Sequence, residues 1–221
     1  MSDPRWTEVD DYIAGHLLGD DPVQDATLTA NAGSDLPPID VSAAQGKMLH
    51  LFARMAGAKR ILEVGTLGGY STIWLARALP QGGRLVTLEL EPHHADVARA
   101  NIARAGFADR VDVRTGPAVD TLDAMIAAGE APFDLVFIDA DKPSNVAYLN
   151  AALALSRPGT AIVVDNVIRE GGVLDTSGVD ERIEGARRLF EAVAAEPRLS
   201  ATAVQTVGAK KWDGFLLAVV Q

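Results

Sequence analysis

The stretch Ile-Leu-Glu-Val-Gly-Thr-Leu-Gly-Gly-Tyr-Ser, residues 61–71, joins a short apolar run to a turn that contains three glycines. The apolar residues predict a buried strand, and residues 70–79 predict a helix. The glycines between them allow a sharp turn and a close approach of the backbone to a ligand. The stretch therefore predicts a strand–turn–helix unit against which a small molecule can bind.

Several interpretations of this turn compete. A dinucleotide site of the G-x-G-x-x-G type needs a glycine at the position of Leu67, so that pattern fits poorly. A Walker P-loop is excluded, because no Gly-Lys-Ser/Thr follows the glycines. A site for another nucleoside-bearing cofactor and a plain strand–helix turn without a ligand both stay open.

The composition narrows the class of protein. The chain has 221 residues, of which 48% are hydrophobic, enough for the core of one α/β domain. The formal net charge of −10 disfavours a nucleic-acid partner. The absence of cysteine excludes disulfides and cysteine-ligated metals and suits a cytoplasmic location. The start of the chain does not resemble a signal peptide and no long apolar run occurs, so we expect a soluble protein without a membrane partner.

The remaining segments alternate between apolar strands and helices. Helical spacing covers residues 6–31, and Ser42 and Gln45 form a capping box that opens a helix ending near residue 55. Further helices are predicted after Pro92, after Pro117, over residues 143–155 and over residues 181–195. Strands are predicted over residues 84–88, 111–114, 133–138, 161–164, 201–207 and 215–220. This order predicts an α/β fold with an open parallel sheet and one antiparallel strand in a C-terminal hairpin.

An acidic residue ends the second predicted strand. Glu89 follows Gly65 at close to the roughly 20-residue interval at which an acid reaches the ribose hydroxyls in nucleoside-binding βαβ units. The alternative is a surface acid near the start of a helix. The match with the glycine turn favours ribose binding. His93 and His94, which follow, have no partner at metal-ligand spacing, and we interpret both as facing solvent.

Residues with side-chain oxygens follow the next two strands. Asp139 comes directly after residues 133–138, and Asp165 and Asn166 come directly after residues 161–164. If these strands are neighbours, their ends lie about 5 Å apart and the three side chains can converge. Oxygen ligands without His or Cys favour Mg²⁺, Ca²⁺ or Mn²⁺ over zinc, and they leave positions open for two substrate oxygens.

A lysine lies beside this trio. Lys142 stands three positions after Asp139 and could accept the proton of a substrate hydroxyl. In the plain structural interpretation, Asp139 and Asp165 cap helices and Lys142 is a surface lysine. The convergence of all of them on one sheet edge favours the catalytic interpretation.

These motifs resemble those of a known family. The run Glu63-Val-Gly65-x-x-Gly-Gly-Tyr-Ser71 resembles the first motif of S-adenosylmethionine-dependent methyltransferases. The runs Asp139-Ala-Asp-Lys142 and Val-Val-Asp165-Asn166 are similar to the metal-binding motifs of cation-dependent catechol and caffeoyl-CoA O-methyltransferases. The resemblance covers the chain from about residue 39 to its end. It implies a class I methyltransferase fold, Rossmann-like and three-layered (α/β/α), with a seven-stranded, mostly parallel sheet, and it implies a homodimer.

The resemblance also implies roles for individual residues. Asp139, Asp165 and Asn166 are expected to bind the cation, Mg²⁺ or else Ca²⁺ or Mn²⁺, and Lys142 is expected to be the catalytic base. Glu89 is expected to bind the ribose of S-adenosylmethionine. The other residues expected to contact this cofactor are Val41, Glu63, Gly65, Thr66, Gly69, Ser71, Gly116, Pro117, Ala118 and Asp139, with residues 116–118 against the adenine. Within one domain, residues 1–221, we expect a helical lead-in and lid over 1–56 and a cofactor- and metal-binding core over 57–221.

Two segments depart from the family pattern, and both flank the expected acceptor pocket. Arg169 and Glu170 stand in the loop after Asn166, where the animal enzyme has a proline-bearing apolar gate and the plant enzymes an aromatic residue. A longer turn with Lys211 and Trp212 precedes the last strand. Trp212 either packs on the core or forms an aromatic wall for a phenolic ring.

The sequence therefore predicts a cation-dependent O-methyltransferase that acts on a small phenolic acceptor. The expected acceptor is a vicinal dihydroxy aromatic such as a catechol, a caffeoyl compound or a flavonoid. The alternatives are a methyltransferase with a nucleic acid or a protein side chain as acceptor, a nucleoside-binding protein without catalysis, and a nicotinamide oxidoreductase.

Overall fold

The computed structural model describes residues 3–221, whose strands form a seven-stranded sheet with helices on both faces. The first two residues of the predicted domain, 1–221, lie outside this range. The helices are α1 Pro4–Leu17, α2 Pro22–Gly33, α3 Ala43–Met55, α4 Tyr70–Ala76, α5 Pro92–Arg104, α6 Ala118–Ala127, α7 Asn145–Ala154 and α8 Glu181–Ala195. The strands are β1 Arg60–Val64, β2 Arg84–Glu89, β3 Val111–Thr115, β4 Leu135–Ile138, β5 Ala161–Asp165, β6 Leu199–Gly208 and β7 Lys211–Val220. Short 3₁₀ turns cover Lys142–Ser144 and Arg169–Leu174.

The strands lie in the order β3-β2-β1-β4-β5-β7-β6. The first five run parallel to one another, and β7 pairs antiparallel with both β5 and β6. Successive strands add outward from β1 to β3, and then the chain crosses back to place β4 on the other side of β1. Sheets of this kind bind ligands at that reversal, at the carboxyl ends of the strands. The predicted mostly parallel sheet with an antiparallel C-terminal hairpin is confirmed.

The central strands β1, β4 and β5 are buried on both faces. Leu62 and Val136 pack in one apolar cluster with α6, α7 and α8, whereas Ile61 and Leu135 pack in another with α3 and α4. A continuous apolar run suits a strand that is covered on both sides. The three-layer α/β/α arrangement is therefore confirmed.

The helical lead-in predicted over residues 6–31 consists of two helices. The chain breaks between α1 and α2 at Gly19, which has a φ of +67°. The Asp21 side chain accepts a hydrogen bond from the Gln24 N–H, and Pro22 opens α2. A left-handed glycine followed by a cap and a proline ends one helix and begins the next.

Other helix boundaries differ from the sequence-based expectation by a few residues. α4 ends at Ala76 and not near residue 79, and α7 begins at Asn145 after a 3₁₀ turn. Such shifts are common at helix ends, where the pattern of apolar residues carries little information.

The capping box predicted at the start of α3 is only half formed. The Ser42 hydroxyl accepts a hydrogen bond from the Gln45 N–H at 3.2 Å. The Gln45 side chain does not return to Ser42, and its Nε2 donates to the Asp165 carboxylate at 2.6 Å. The prediction for the Gln45 side chain is therefore wrong, because a hydrogen bond to a carboxylate is stronger than the one that the cap offers.

The glycines of the turn after β1 allow close approaches within the chain itself. A Cβ on Gly65, whose φ is +100°, would lie 2.0 Å from the carbonyl oxygen of Asp139. A Cβ on Gly68 would lie 1.9 Å from the side-chain oxygen of Asn31 in α2. These glycines therefore set the distance from β1 to the end of β4 and from the turn to the lead-in helices.

None of the helices over residues 3–221 is long and apolar enough to cross a membrane.

We predict that two Gly→Ala substitutions in helices have opposite effects on the free energy of unfolding. A Cβ on Gly185 in α8 would lie 2.1 Å from the carbonyl oxygen of Lys142, so Gly185→Ala should destabilise by about 1–3 kcal/mol. Gly15 in α1 has no atom within 4 Å of a built Cβ, so Gly15→Ala should stabilise by up to about 1 kcal/mol. Urea unfolding of both variants measures this difference. Equal changes in the two variants would contradict the packing of α8 on the Lys142 turn.

Candidate active site

A cavity of about 900 Å³ opens at the carboxyl ends of the parallel strands. Ten of the fourteen residues predicted for the site line it: Val41, Gly65, Thr66, Ser71, Glu89, Pro117, Ala118, Asp139, Lys142 and Asn166. The other four, Glu63, Gly69, Gly116 and Asp165, do not line it. The predicted residues are thus brought together around one cavity, with a few placed behind its wall.

Glu89 is buried at the end of β2, with 7% of its surface exposed. Its Oε2 accepts hydrogen bonds from the backbone N–H groups of Thr66 and Leu67, at 3.2 and 2.8 Å. Its Oε1 accepts one from the Glu91 N–H at 3.0 Å. The alternative of a surface acid is therefore wrong, since the carboxylate is fixed against the glycine turn and faces the cavity.

The environment of His94 also differs from the expectation. His94 lines the cavity, and its Nδ1 lies 3.5 Å from Glu89 Oε1. The interpretation of His94 as facing solvent is therefore wrong. Its neighbour His93 is exposed, as expected, although its ring nitrogen lies 2.9 Å from the Ser34 carbonyl oxygen.

Glu63 lies in β1, fully buried behind the cavity wall. Its carboxylate accepts hydrogen bonds from the hydroxyls of Ser71 at 2.6 Å, Thr87 at 2.7 Å and Thr72. Burial raises the pKa of Glu63 to about 7 in spite of these donors, and the nearby charge of Asp139 acts in the same direction. Ser71 lines the cavity and Glu63 does not, so Glu63 reaches the cavity through the Ser71 hydroxyl.

Asp139 and Asp165 follow adjacent positions of two paired strands, since Ile138 of β4 lies opposite Val164 of β5. Asp165 is 4% exposed. Burial and then the charge of Asp139 raise the pKa of Asp165, while the Lys142 charge acts against this rise. The two carboxylates are therefore close enough to repel each other in a setting with little water.

Lys142 is buried, and its Nζ donates to Asp139 Oδ1 at 2.9 Å. The interpretation of Lys142 as a surface lysine is therefore wrong. It lines the cavity beside Asp139, at the start of the 3₁₀ turn that follows β4. Within residues 3–221, the Lys142 ammonium thus pairs with the half-buried Asp139, and its charge also acts on the buried Asp165.

The residues of the predicted trio fit a hard divalent cation by the chemistry of their oxygens. Two carboxylates and the amide oxygen of Asn166 offer no nitrogen or sulfur, which is the donor set that Mg²⁺, Mn²⁺ and Ca²⁺ prefer. Residues 3–221 contain no group of three Asp, Glu, His or Cys side chains placed to hold a metal. A third ligand would therefore have to come from another residue type. The trio therefore depends on Asn166, whose φ of +57° sets it apart from the preceding strand.

Two arginines belong to the cavity wall. Arg169 and Arg182 line it, and Arg182 pairs with Asp180. The Arg169 side chain makes no hydrogen bond or ion pair with any residue between 3 and 221. Arg169 and Glu170 both have positive φ, and the Asp213 carboxylate holds the loop by accepting the Ile168 and Arg169 N–H groups at 3.0 Å.

Trp212 belongs to the core and not to the cavity wall. It packs against the apolar cluster of β4, β5 and α8, and its Nε1 donates to the Gln205 side chain at 3.1 Å. A Cβ on Gly171 would come within 2.9 Å of the Trp212 ring. Of the two roles expected for Trp212, packing on the core is therefore the one observed.

Several residues near the cavity were not found from the sequence. Asp40 lines the cavity, accepts a hydrogen bond from Asn31 at 3.0 Å and has its pKa raised by burial. His94, which lines the cavity, and Gln45, which bonds to Asp165, are two more. The sequence signal for Asp40 is its position directly before Val41, which was predicted for the site, whereas Gln45 carries no signal beyond its capping pattern.

Comparison with known proteins gives full-length matches. The sequence model of a family described as O-methyltransferase matches residues 23–219. A catechol O-methyltransferase of Mycobacterium tuberculosis is 55% identical over 218 residues, which cover 99% of this chain and 97% of the relative. A catechol O-methyltransferase of Niastella koreensis is 49% identical over 221 residues and covers 100% of both. The crystal structure of an O-methyltransferase from Bacillus cereus in complex with SAH has a TM-score of 0.97 and 55% identity, and covers 98% of this chain and 99% of that chain.

The raised pKa of Glu63 predicts how stability changes with pH. A carboxyl whose pKa rises on folding, here from 4.5 to about 7, contributes stability that is fully present below pH 4.5 and is lost as the pH rises through 7. The shift corresponds to at most about 3 kcal/mol. Glu63→Gln cannot ionise, so it should lose less stability than the wild type between pH 5 and pH 8. Urea unfolding of both proteins at each pH measures the difference. A difference that stays constant with pH would contradict an ionisable, buried Glu63.

Proposed function

Because the chain belongs to the O-methyltransferase family, we propose that it transfers a methyl group from S-adenosylmethionine to one hydroxyl of a vicinal dihydroxy aromatic compound, with a divalent cation at Asp139, Asp165 and Asn166. The enzyme class, S-adenosylmethionine-dependent O-methyltransferase, follows from the family and its full-length relatives. The observation that carries the rest is the half-buried Asp139, paired with the buried Lys142 at the cavity wall, next to the buried Asp165 at the neighbouring strand end.

The donor side of the cavity suits a nucleoside bound to an amino acid. Glu89 lies where two ribose hydroxyls could donate to its carboxylate, and the residues 117–118 that begin α6 form another part of the wall. Ser71, whose hydroxyl donates to Glu63, lines the cavity as Asp139 does. These groups would orient the cofactor so that its methyl group faces the acceptor.

The acceptor side contains the groups for proton removal. Asp139, Asp165 and Asn166 would hold a divalent cation, whose charge would favour the phenolate form of the acceptor. Lys142 Nζ lies beside Asp139, and its neutral amine form would accept the proton of the attacking hydroxyl and become the ammonium. Lys142 and Asp165 are both buried.

The alternatives are less well supported. A nucleic-acid acceptor conflicts with the net charge of −10. A nicotinamide cofactor conflicts with Leu67, which occupies the second glycine position and donates its N–H to Glu89. Calorimetry with S-adenosylhomocysteine and with NAD separates these cases, and we expect binding of the first alone. The expected homodimer and cytoplasmic location stay predictions.

We predict that turnover requires the cation whereas cofactor binding does not. Labelled S-adenosylmethionine is offered with a catechol, a catechol carboxylic acid and a flavonoid, because the unpaired Arg169 could bind an acidic acceptor. Excess EDTA should reduce methylation to background, Mg²⁺ should restore it, and Asp165→Ala should stay inactive while it binds S-adenosylhomocysteine. Full activity in excess EDTA would exclude the cation-dependent mechanism.

Substitution of Lys142 tests the proposed base. Lys142→Met keeps the length of the side chain but cannot accept a proton, so turnover should fall by about 10²–10⁴-fold. Affinity for S-adenosylhomocysteine should stay close to that of the wild type, since Lys142 lies on the acceptor side. Methyl transfer and calorimetry on the same preparation measure both quantities. Turnover within a few-fold of the wild type would assign the proton to another group or to solvent.

A further inference from the structure

Gln45 connects α3 to the buried Asp165 carboxylate. It lies in the first turn of α3, and its Nε2 donates to Asp165 Oδ2 at 2.6 Å, although the two residues are 120 positions apart. Among residues 3–221, it is the only side chain that donates a hydrogen bond to Asp165. The lead-in therefore reaches the site through one amide group.

Each side-chain oxygen of Asp165 accepts one hydrogen bond. Oδ1 accepts the N–H of Asn166 at 2.8 Å, and Oδ2 accepts the Gln45 amide. A carboxylate fixed in this way cannot rotate without breaking one of these bonds, and each oxygen keeps a further lone pair. Asp165 thus has a defined orientation and free capacity to bind a cation.

Gln45 is itself held in place by the packing of α3. Leu49 and Ala53 of this helix are buried in the core, and Gly46 lies so close to Trp74 that a Cβ would come within 2.2 Å of the ring. The helix cannot shift toward or away from the sheet without disturbing these contacts. The Gln45 amide is therefore presented to Asp165 by a rigid element.

The Gln45 amide donates a hydrogen bond to Asp165 without bringing a positive charge to it. Lys142 already pairs with Asp139, and its charge also acts on Asp165. An Asp165 carboxylate that lost its Gln45 partner would be free to turn toward the Lys142 ammonium. A neutral donor fixes the carboxylate and leaves its negative charge available for a cation.

We propose that Gln45 is a positioning residue that orients Asp165 for cation binding, an inference that rests on the proposed cation site at Asp139, Asp165 and Asn166. Gln45 does not line the cavity. Its contribution is to the affinity for the cation.

The test compares Gln45→Met with Lys47→Met in the full-length protein. Methionine at position 45 keeps the size of the side chain but has no N–H donor. Lys47 lies on the same helix, with its Nζ 5.8 Å from the Trp74 ring, and is not part of the cavity, so Lys47→Met is the matched control. Mn²⁺ binding is followed by the EPR signal of the free ion in the presence of S-adenosylhomocysteine. Affinity for S-adenosylhomocysteine without Mn²⁺ is measured by calorimetry.

We expect Gln45→Met to bind Mn²⁺ about 10–100-fold more weakly than the wild type, with unchanged affinity for S-adenosylhomocysteine. Lys47→Met should match the wild type in both. Equal Mn²⁺ affinity in Gln45→Met and the wild type would overturn the inference, as would a parallel loss of affinity for S-adenosylhomocysteine, which indicates a general structural role. If Gln45→Met does not fold, Gln45→Asn, whose side chain is one methylene shorter, replaces it in both measurements. The same results then support or overturn the inference. A wild type that binds no Mn²⁺ contradicts the proposed cation site itself.

Discussion

The site depends on two carboxylates held side by side, one of them buried and the other half-buried at the cavity wall. The pairing of β4 with β5 places Asp139 and Asp165 at adjacent strand ends, and burial makes their mutual repulsion costly. One ammonium, one amide and one backbone N–H, from Lys142, Gln45 and Asn166, relieve part of that repulsion. A divalent cation is the partner that would balance the remaining charge, which is why this arrangement favours metal-dependent chemistry over a plain structural role.

Much of the surrounding structure fixes the positions of these groups. Gly65 has no Cβ, so β1 can approach the Asp139 carbonyl oxygen, and Gly185 lets α8 pack against the Lys142 turn. Near the glycine turn, Glu63 and Glu89 are two buried acids with different partners. Hydroxyl groups surround Glu63, whereas backbone N–H groups hold Glu89. The edge of the sheet is therefore a layer of fixed polar groups between two apolar clusters.

The sequence predicts those parts of the structure that depend on local pattern. Continuous apolar runs identify the central strands, and the glycine turn together with Glu89, Asp139 and Asp165 identifies the edge where the cavity lies. Residues whose contacts depend on tertiary packing could not be predicted. The local pattern around Gln45 predicts a capping box, whereas its side chain bonds to Asp165, 120 positions away. The approach of His94 to Glu89 depends on how α5 packs on the sheet. The family resemblance supplied the roles of residues, which spacing alone could not assign.

The most direct test of a shared cation site is a crystal of the protein grown with S-adenosylhomocysteine and soaked in Mn²⁺, with anomalous diffraction recorded near the manganese edge. The result expected is an anomalous peak at the end of the cavity, within about 2.0–2.6 Å of an oxygen from each of Asp139, Asp165 and Asn166. A crystal with S-adenosylhomocysteine bound and no peak there, or a peak away from these side chains, would contradict the account.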